Sequence, residues 1–155
     1  MSSFESLRLA QLSIAVREST LKRLMQVPDG FENWRPTEAS LSFADIAQHL
    51  IDADSWLFQK LETPELPAMR GQAGLVSVHS REDYNGLVEK LREIGERRRA
   101  LIESLTDADL SRLIYDDRFG SEVEVWWTIV RGNLDHETHH RGQVAAYLRI
   151  VSGLC

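Results

Sequence analysis

Apolar residues recur along most of this chain at steps of three and four, the period of one face of an α-helix. Over residues 3–26, Leu7, Ala10, Gln11, Ile14, Thr20, Leu21 and Leu24 take these steps, with Arg8, Arg17, Glu18 and Lys22 between them. Val27-Pro28-Asp29-Gly30 ends this helix, and a loop from Phe31 to Ser40 follows. Ser42 is placed to cap a second helix running to about Leu61, with Asp45 at the capping-box position. Its stripe is Phe43, Ile46, Ala47, Leu50, Leu57, Phe58 and Leu61. Residues 62–80 contain Pro64, Pro67, Gly71 and Gly74 and are too long for a tight antiparallel turn, so they are expected to cross the end of a bundle. Ser80, with Asp83, caps a third helix reaching about Leu105. Its stripe is Tyr84, Leu87, Val88, Leu91, Ile94, Leu101 and Ile102, and Glu96-Arg97-Arg98-Arg99 reads as a solvated face. Thr106-Asp107-Ala108-Asp109 begins a connector, and residues 112–120 are the one stretch where irregular or short extended structure is expected. A fourth helix over about 122–150 is striped by Trp126, Ile129, Val130, Val144, Tyr147, Leu148 and Val151. Four amphipathic helices without strand alternation predict an all-α four-helix bundle, one domain over residues 1–155.

Composition narrows the class. A chain of 155 residues, 43% hydrophobic with both charge signs mixed, has the makings of one packed core. The net charge of −6 argues against nucleic acid or an anionic membrane as partner, and no apolar run reaches the length of a membrane span. Met1-Ser2-Ser3-Phe4-Glu5 lacks the basic start and apolar block of a signal peptide. The single cysteine, Cys155, allows no intrachain disulfide, lies too near the terminus to serve well as a nucleophile, and fits a reducing cytoplasm.

The fourth stripe is interrupted in its middle by Asn133, His136, Glu137 and His140. Three of the five histidines fall within five residues here. His136 and His140, four apart, share a helix face, a spacing suited to two nitrogen ligands of one metal ion. Burying Glu137 and two imidazoles without partners would cost several kcal/mol; a metal ion would take the imidazoles and hold the carboxylate ionised. The spacing leaves the third ligand open among Asp45, Asp52, Glu137 and His79. His49 is rotated roughly 120° from the stripe of its helix, onto a second face with Asp45, Asp52 and Trp56. His139 is rotated about 60° from His136, away from the apolar face, and reads as a surface residue.

Three motifs together resemble the DinB-like (DinB/YfiT) family of metal-dependent enzymes. They are Trp34-Arg35-Pro36, then Ser42-Phe43-Ala44-Asp45-Ile46-Ala47-Gln48-His49-Leu50 with Trp56 downstream, and finally His136-xxx-His140-Arg141-Gly142-Gln143. The last is the most specific. The resemblance implies an up-down-down-up bundle with its long connection at residues 62–80, a homodimer, and a metal site formed by His49, His136 and His140 with water in the open positions.

Three neutral histidines leave coordination positions free, a catalytic rather than a closed structural arrangement. The ligand set does not choose among zinc, nickel, iron and manganese. Relatives that use low-molecular-weight thiols such as bacillithiol, mycothiol or glutathione make a thiol S-transferase acting on a small electrophile the leading expectation. A metal-dependent hydrolase and a non-catalytic, stress-associated metal-binding protein are the alternatives. Asp52, one turn from His49, is the expected proton acceptor, and Gln143 is expected to orient a ligand imidazole or a bound water. Trp56 and Trp126 are candidates to line the pocket, Arg141 to meet a substrate carboxylate or a bundle acid, and Gly142 to allow close helix packing.

Overall fold

The computed structural model describes residues 3–154. Ser3 caps α1 (Phe4–Leu24), its hydroxyl accepting from the Ser6 amide. Ser42 and Asp45 form the expected capping box at the start of α2 (Phe43–Glu62), each side chain accepting the other's backbone N–H at 2.9 Å. At α3 (Arg81–Ser104) the Ser80 hydroxyl accepts from Asp83 N at 3.0 Å.

The connector is more ordered than its sequence suggests. One helical turn, α4 (Asp107–Ser111), leads into an antiparallel hairpin of β1 (Leu113–Asp116) and β2 (Ser121–Glu124), with Leu113 opposite Glu124 and Asp116 opposite Ser121. The Asp116 carbonyl closes the turn by accepting from Phe119 and Gly120, and Gly120 sits at φ +67°, where a side chain would be strained. The last helix, expected from about residue 122, therefore starts only at Val125, because 121–124 are paired as strand. From there α5 (Val125–Ile129), a π-helical segment (Val130–Leu134) and α6 (Asp135–Ser152) follow one another without a connecting loop.

Both α1 and α2 pack against α3 and α6. Their apolar faces build two clusters: one around Leu24, Phe43, Leu50, Leu91, Val144 and Val151, the other around Leu9, Leu57, Ile102, Ile114, Ile129 and Leu134. The buried face of α1 is only in part the one its spacing suggests: Ala10, Thr20, Leu21 and Leu24 are buried as expected. Leu7 is exposed, as is Gln11, while Leu9, Ser13, Val16 and Arg17 point inward.

The reason is a charged layer where the two clusters meet. Arg17 and Arg98, 2% and 0% exposed, lie beside Asp54 and Glu137, both 1% exposed. Arg17 donates to both Glu137 oxygens at 2.7 and 3.0 Å, and to Asp54 at 2.8 Å. Arg98 donates to Glu137 at 2.7 Å, to Asp54 at 3.1 Å and to the Ser13 hydroxyl at 2.7 Å. Thr20 and Asn133 supply further bonds to Glu137 and Asp54. Gly95 makes room, since a Cβ there would lie 2.8 Å from Arg17 Nη1. Arg98 is thus not part of a solvated face. Nor does Glu137 need a metal to remain ionised: burial would push its carboxyl up from 4.5, but Arg98 and Arg17 outweigh this and hold it down to about 2.

Removing one partner of a buried ion group strands the others, at a cost of about 3–5 kcal/mol. Arg98→Ala is therefore expected to lower the unfolding free energy by about that amount in urea titrations, and Arg99→Ala, with its half-exposed pairs, by less than about 1 kcal/mol. Equal costs would contradict the assignment. Because the Glu137 pKa is depressed, its stabilisation is complete above pH 4.5 and is lost as pH falls toward 2. Stability measured across that window should decline in the native chain, and the part of the decline due to Glu137 should vanish in Glu137→Gln.

Candidate metal centre

α2 carries His49, and the first turns of α6 carry His136 and His140. Both ends of the arrangement are anchored in the charged layer, α2 through Asp54 and α6 through Glu137. The face of α2 bearing His49 turns inward: His49 and His140 are buried and His136 is half-buried. His136 Nε2 stands 3.0 Å from His49 Nε2 and 3.1 Å from His140 Nε2. One ligand nitrogen from each of the three lies within 4.8 Å of the others.

All three rings are neutral at pH 7. Burial, reinforced by the neighbouring imidazoles, lowers His136 from 6.5 to about 3. Burial lowers His140 to about 4 against the opposing pull of its hydrogen bond to Gln143. Burial also lowers His49, against the Asp52 charge. Gln143 Oε1 lies 2.7 Å from His140 Nδ1. With the amide oxygen accepting, Nδ1 carries the proton and Nε2 keeps its lone pair, directed at His136. Three neutral nitrogens thus converge where, among the described residues, no carboxylate joins them. Such a set has too few protons to satisfy itself and suits a divalent metal ion, which takes neutral imidazole nitrogens as ligands. His49 Nδ1, on the far side of the ring, is buried without a hydrogen-bond partner among the described residues.

The other third-ligand candidates lie outside this cluster. Asp45 holds the 63–80 connection in place, its oxygens accepting from the amides of Gly74 at 2.8 Å and Val76 at 2.9 Å. Those bonds and Ser42 outweigh burial and keep its carboxyl below the usual range. This connection lies over His49: a Cβ on Gly71 would come within 2.9 Å of His49 Nδ1. Asp52 is half-buried and accepts from Gln48 Nε2 at 2.9 Å. Glu137 belongs to the arginine layer, and His79 and His139 are exposed. Gly142 does not serve close packing, since a Cβ there would meet nothing within 4 Å. Cys155 lies outside the described residues.

A narrow cavity of about 60 Å³ opens beside His49 and His136, walled by Trp56, Ala53, Met69, Arg118 and Gly132. Trp126 packs instead on the cluster around Ile129. A roomier cavity of about 370 Å³ between Phe58, Leu101 and Leu105 includes no histidine. Arg118 is the site neighbour that sequence reasoning missed, since it sits on the hairpin turn, outside any periodic element.

A family model described as the DinB superfamily matches residues 14–144, a span holding all three histidines. The crystal structure of a DinB-like protein, YjoA, from Bacillus subtilis aligns with a TM-score of 0.68 and 19% identity, over 94% of this chain and 92% of that one. This likeness speaks for the fold. No curated protein matches the chain.

Titration of metal-free protein with cobalt(II) is expected to show one site. His49→Ala and His136→Ala should each weaken it at least tenfold, and His139→Ala should leave it unchanged. Equal losses for His139→Ala and His136→Ala would contradict this ligand set.

Proposed function

The chain belongs to the DinB superfamily, and from that membership and its three converging imidazoles we propose a metal-dependent thiol S-transferase that joins a low-molecular-weight thiol to a small electrophile. The observation carrying the reading is the neutral three-histidine set, closed on one side by the protein and open on the other to the cavity beside Trp56. His49, His136 and His140 would hold a divalent zinc, nickel, iron or manganese ion, which lowers the pKa of a bound thiol enough to supply a thiolate at neutral pH. The choice of thiol over water rests on the family resemblance.

The protein's own groups divide the remaining work. Gln143 fixes the ring of His140 through Nδ1. Trp56, Ala53 and Met69 give the acceptor an apolar wall. Trp56 is itself tethered, its indole N–H donating to Pro67 O at 2.7 Å. Asp52, whose charge acts on His49, takes the thiol proton in this scheme. The thiol S–H bond breaks and a C–S bond forms, while the electron pair of the bond broken in the electrophile goes to chloride leaving a chloroaromatic or to the retained ring oxygen of an epoxide, which takes a proton. An up-down-down-up helix order, a homodimer and a cytoplasmic location complete the reading. Among the described residues no helix is long and apolar enough to cross a membrane.

Depletion of glutathione, or of a bacterial thiol such as bacillithiol or mycothiol, by a chloroaromatic or epoxide acceptor should require metal-loaded protein and should disappear in His49→Ala. Asp52→Asn is expected to bind metal normally and to lose about 10²-fold or more in kcat. Thiol loss that is indifferent to His49→Ala would overturn the transferase. Ester or amide cleavage without thiol consumption would assign hydrolysis instead, and metal binding without turnover of either kind would assign a binding protein.

A further inference from the structure

We infer that Arg118, on the hairpin, is a positioning residue for the histidine site: it clamps the π turn that sets the direction of His136. The inference rests on the metal-binding reading for one of its two readouts only. A helix that widens from four-residue to five-residue bonding and then returns has one backbone carbonyl too many for its own amides. Here the Asp135 amide reaches back five residues to Val130 O. Within that turn the Gly132 carbonyl accepts from outside the helix, from Arg118 Nη1 at 2.6 Å.

Arg118 is itself held. Its Nε and Nη2 donate to the two oxygens of Asp116 at 2.9 and 2.6 Å, and its own amide donates to Asp116 at 3.0 Å. Asp116 is fully buried. The guanidinium also stacks 4.4 Å from the centre of the Trp56 ring. Gly132 is the residue that lets the head reach the carbonyl: a Cβ there would fall 2.3 Å from Arg118 Nη2 and 2.8 Å from Cζ.

His136 lies four residues after Gly132, on the same side of the helix, and both border the cavity that Arg118 walls. His136 is also the middle imidazole, its Nε2 near those of both His49 and His140, so a small rotation of this turn separates it from both. From the interior the same stretch is fixed by Asn133 and Glu137, which accept from Arg98. Arg118 supplies the hold from the opposite, cavity side.

The test uses Arg118→Met, Arg118→Lys, Gly132→Ala and the Arg118→Met/Gly132→Ala pair, with two readouts. In metal-free protein, amide hydrogen exchange over residues 130–136 should accelerate in each variant while α3 exchanges as before. The cobalt(II) dissociation constant should rise 10- to 100-fold in each single variant, the range expected for residues that orient metal ligands. It should rise no further in the double variant, since both changes break one clamp. A lower unfolding midpoint with cobalt affinity within twofold of wild type would make Arg118 merely structural and overturn the inference, as would multiplying effects in the double variant. If wild-type protein bound no cobalt, the metal reading would fail by itself, and unchanged exchange over 130–136 in Arg118→Met and Gly132→Ala would then overturn the clamp.

Discussion

Two arginines and two carboxylates with almost no access to water dictate how these helices assemble. Ionised groups in an apolar interior are tolerated only when each finds its partners. Arg17 comes from α1, Asp54 from α2, Arg98 from α3 and Glu137 from α6, so a single layer ties all four long helices at one level. Apolar faces alone permit helices to slide and rotate, because many packings bury similar area. A rotation that breaks this layer strands at least one charge. Burial lowers the pKa of the Arg17 guanidinium, but Asp54 and Glu137 raise it by more, and the side chain stays charged throughout the working range.

The histidine site inherits its geometry from that layer. Glu137 is adjacent to His136 and three residues from His140, and Asp54 is five residues from His49. Once Glu137 faces the arginines, His136 and His140 fall on the neighbouring face of the same helix. His49 faces them from α2, its Nε2 3.0 Å from that of His136. Asp45 then lays the connection with Gly71 over the His49 ring, and the hairpin brings Arg118 to the remaining open side. The charged layer and the imidazole cluster are separate devices. One is electrically self-sufficient, while the other gathers three neutral nitrogens of the kind that a divalent cation takes as ligands.

Features set by near neighbours were legible in the sequence. Ser42 with Asp45 and Ser80 with Asp83 mark helix starts through contacts three residues long. The bounds of α2 and α3 follow, as does the shared face of His136 and His140. The third histidine came from a family motif, because no spacing rule links two residues 87 positions apart. Arg98 was misread for the same reason. In a run of three arginines nothing local distinguishes the buried one, whose partners lie 39, 44 and 85 positions away. Ala10, Thr20, Leu21 and Leu24 were legible on the buried face of α1, but Ser13 and Arg17 were not, because they look like surface residues until their partners are in place. The π turn escaped notice because one extra residue in a helical turn leaves the apolar pattern on either side intact. β1 falls in the stretch where short extended structure was expected, but β2 was read as the start of the last helix, because four residues are too few for strand alternation to show.

The most direct measurement is metal analysis combined with anomalous scattering, on crystals of protein purified without a histidine tag or chelator. The account predicts close to one divalent ion per chain, with an anomalous peak bonded to Nε2 of His49, His136 and His140 and none at Glu137. Protein that contained no metal and accepted none, or an ion seated on Glu137 or Asp52 in place of the histidines, would contradict it.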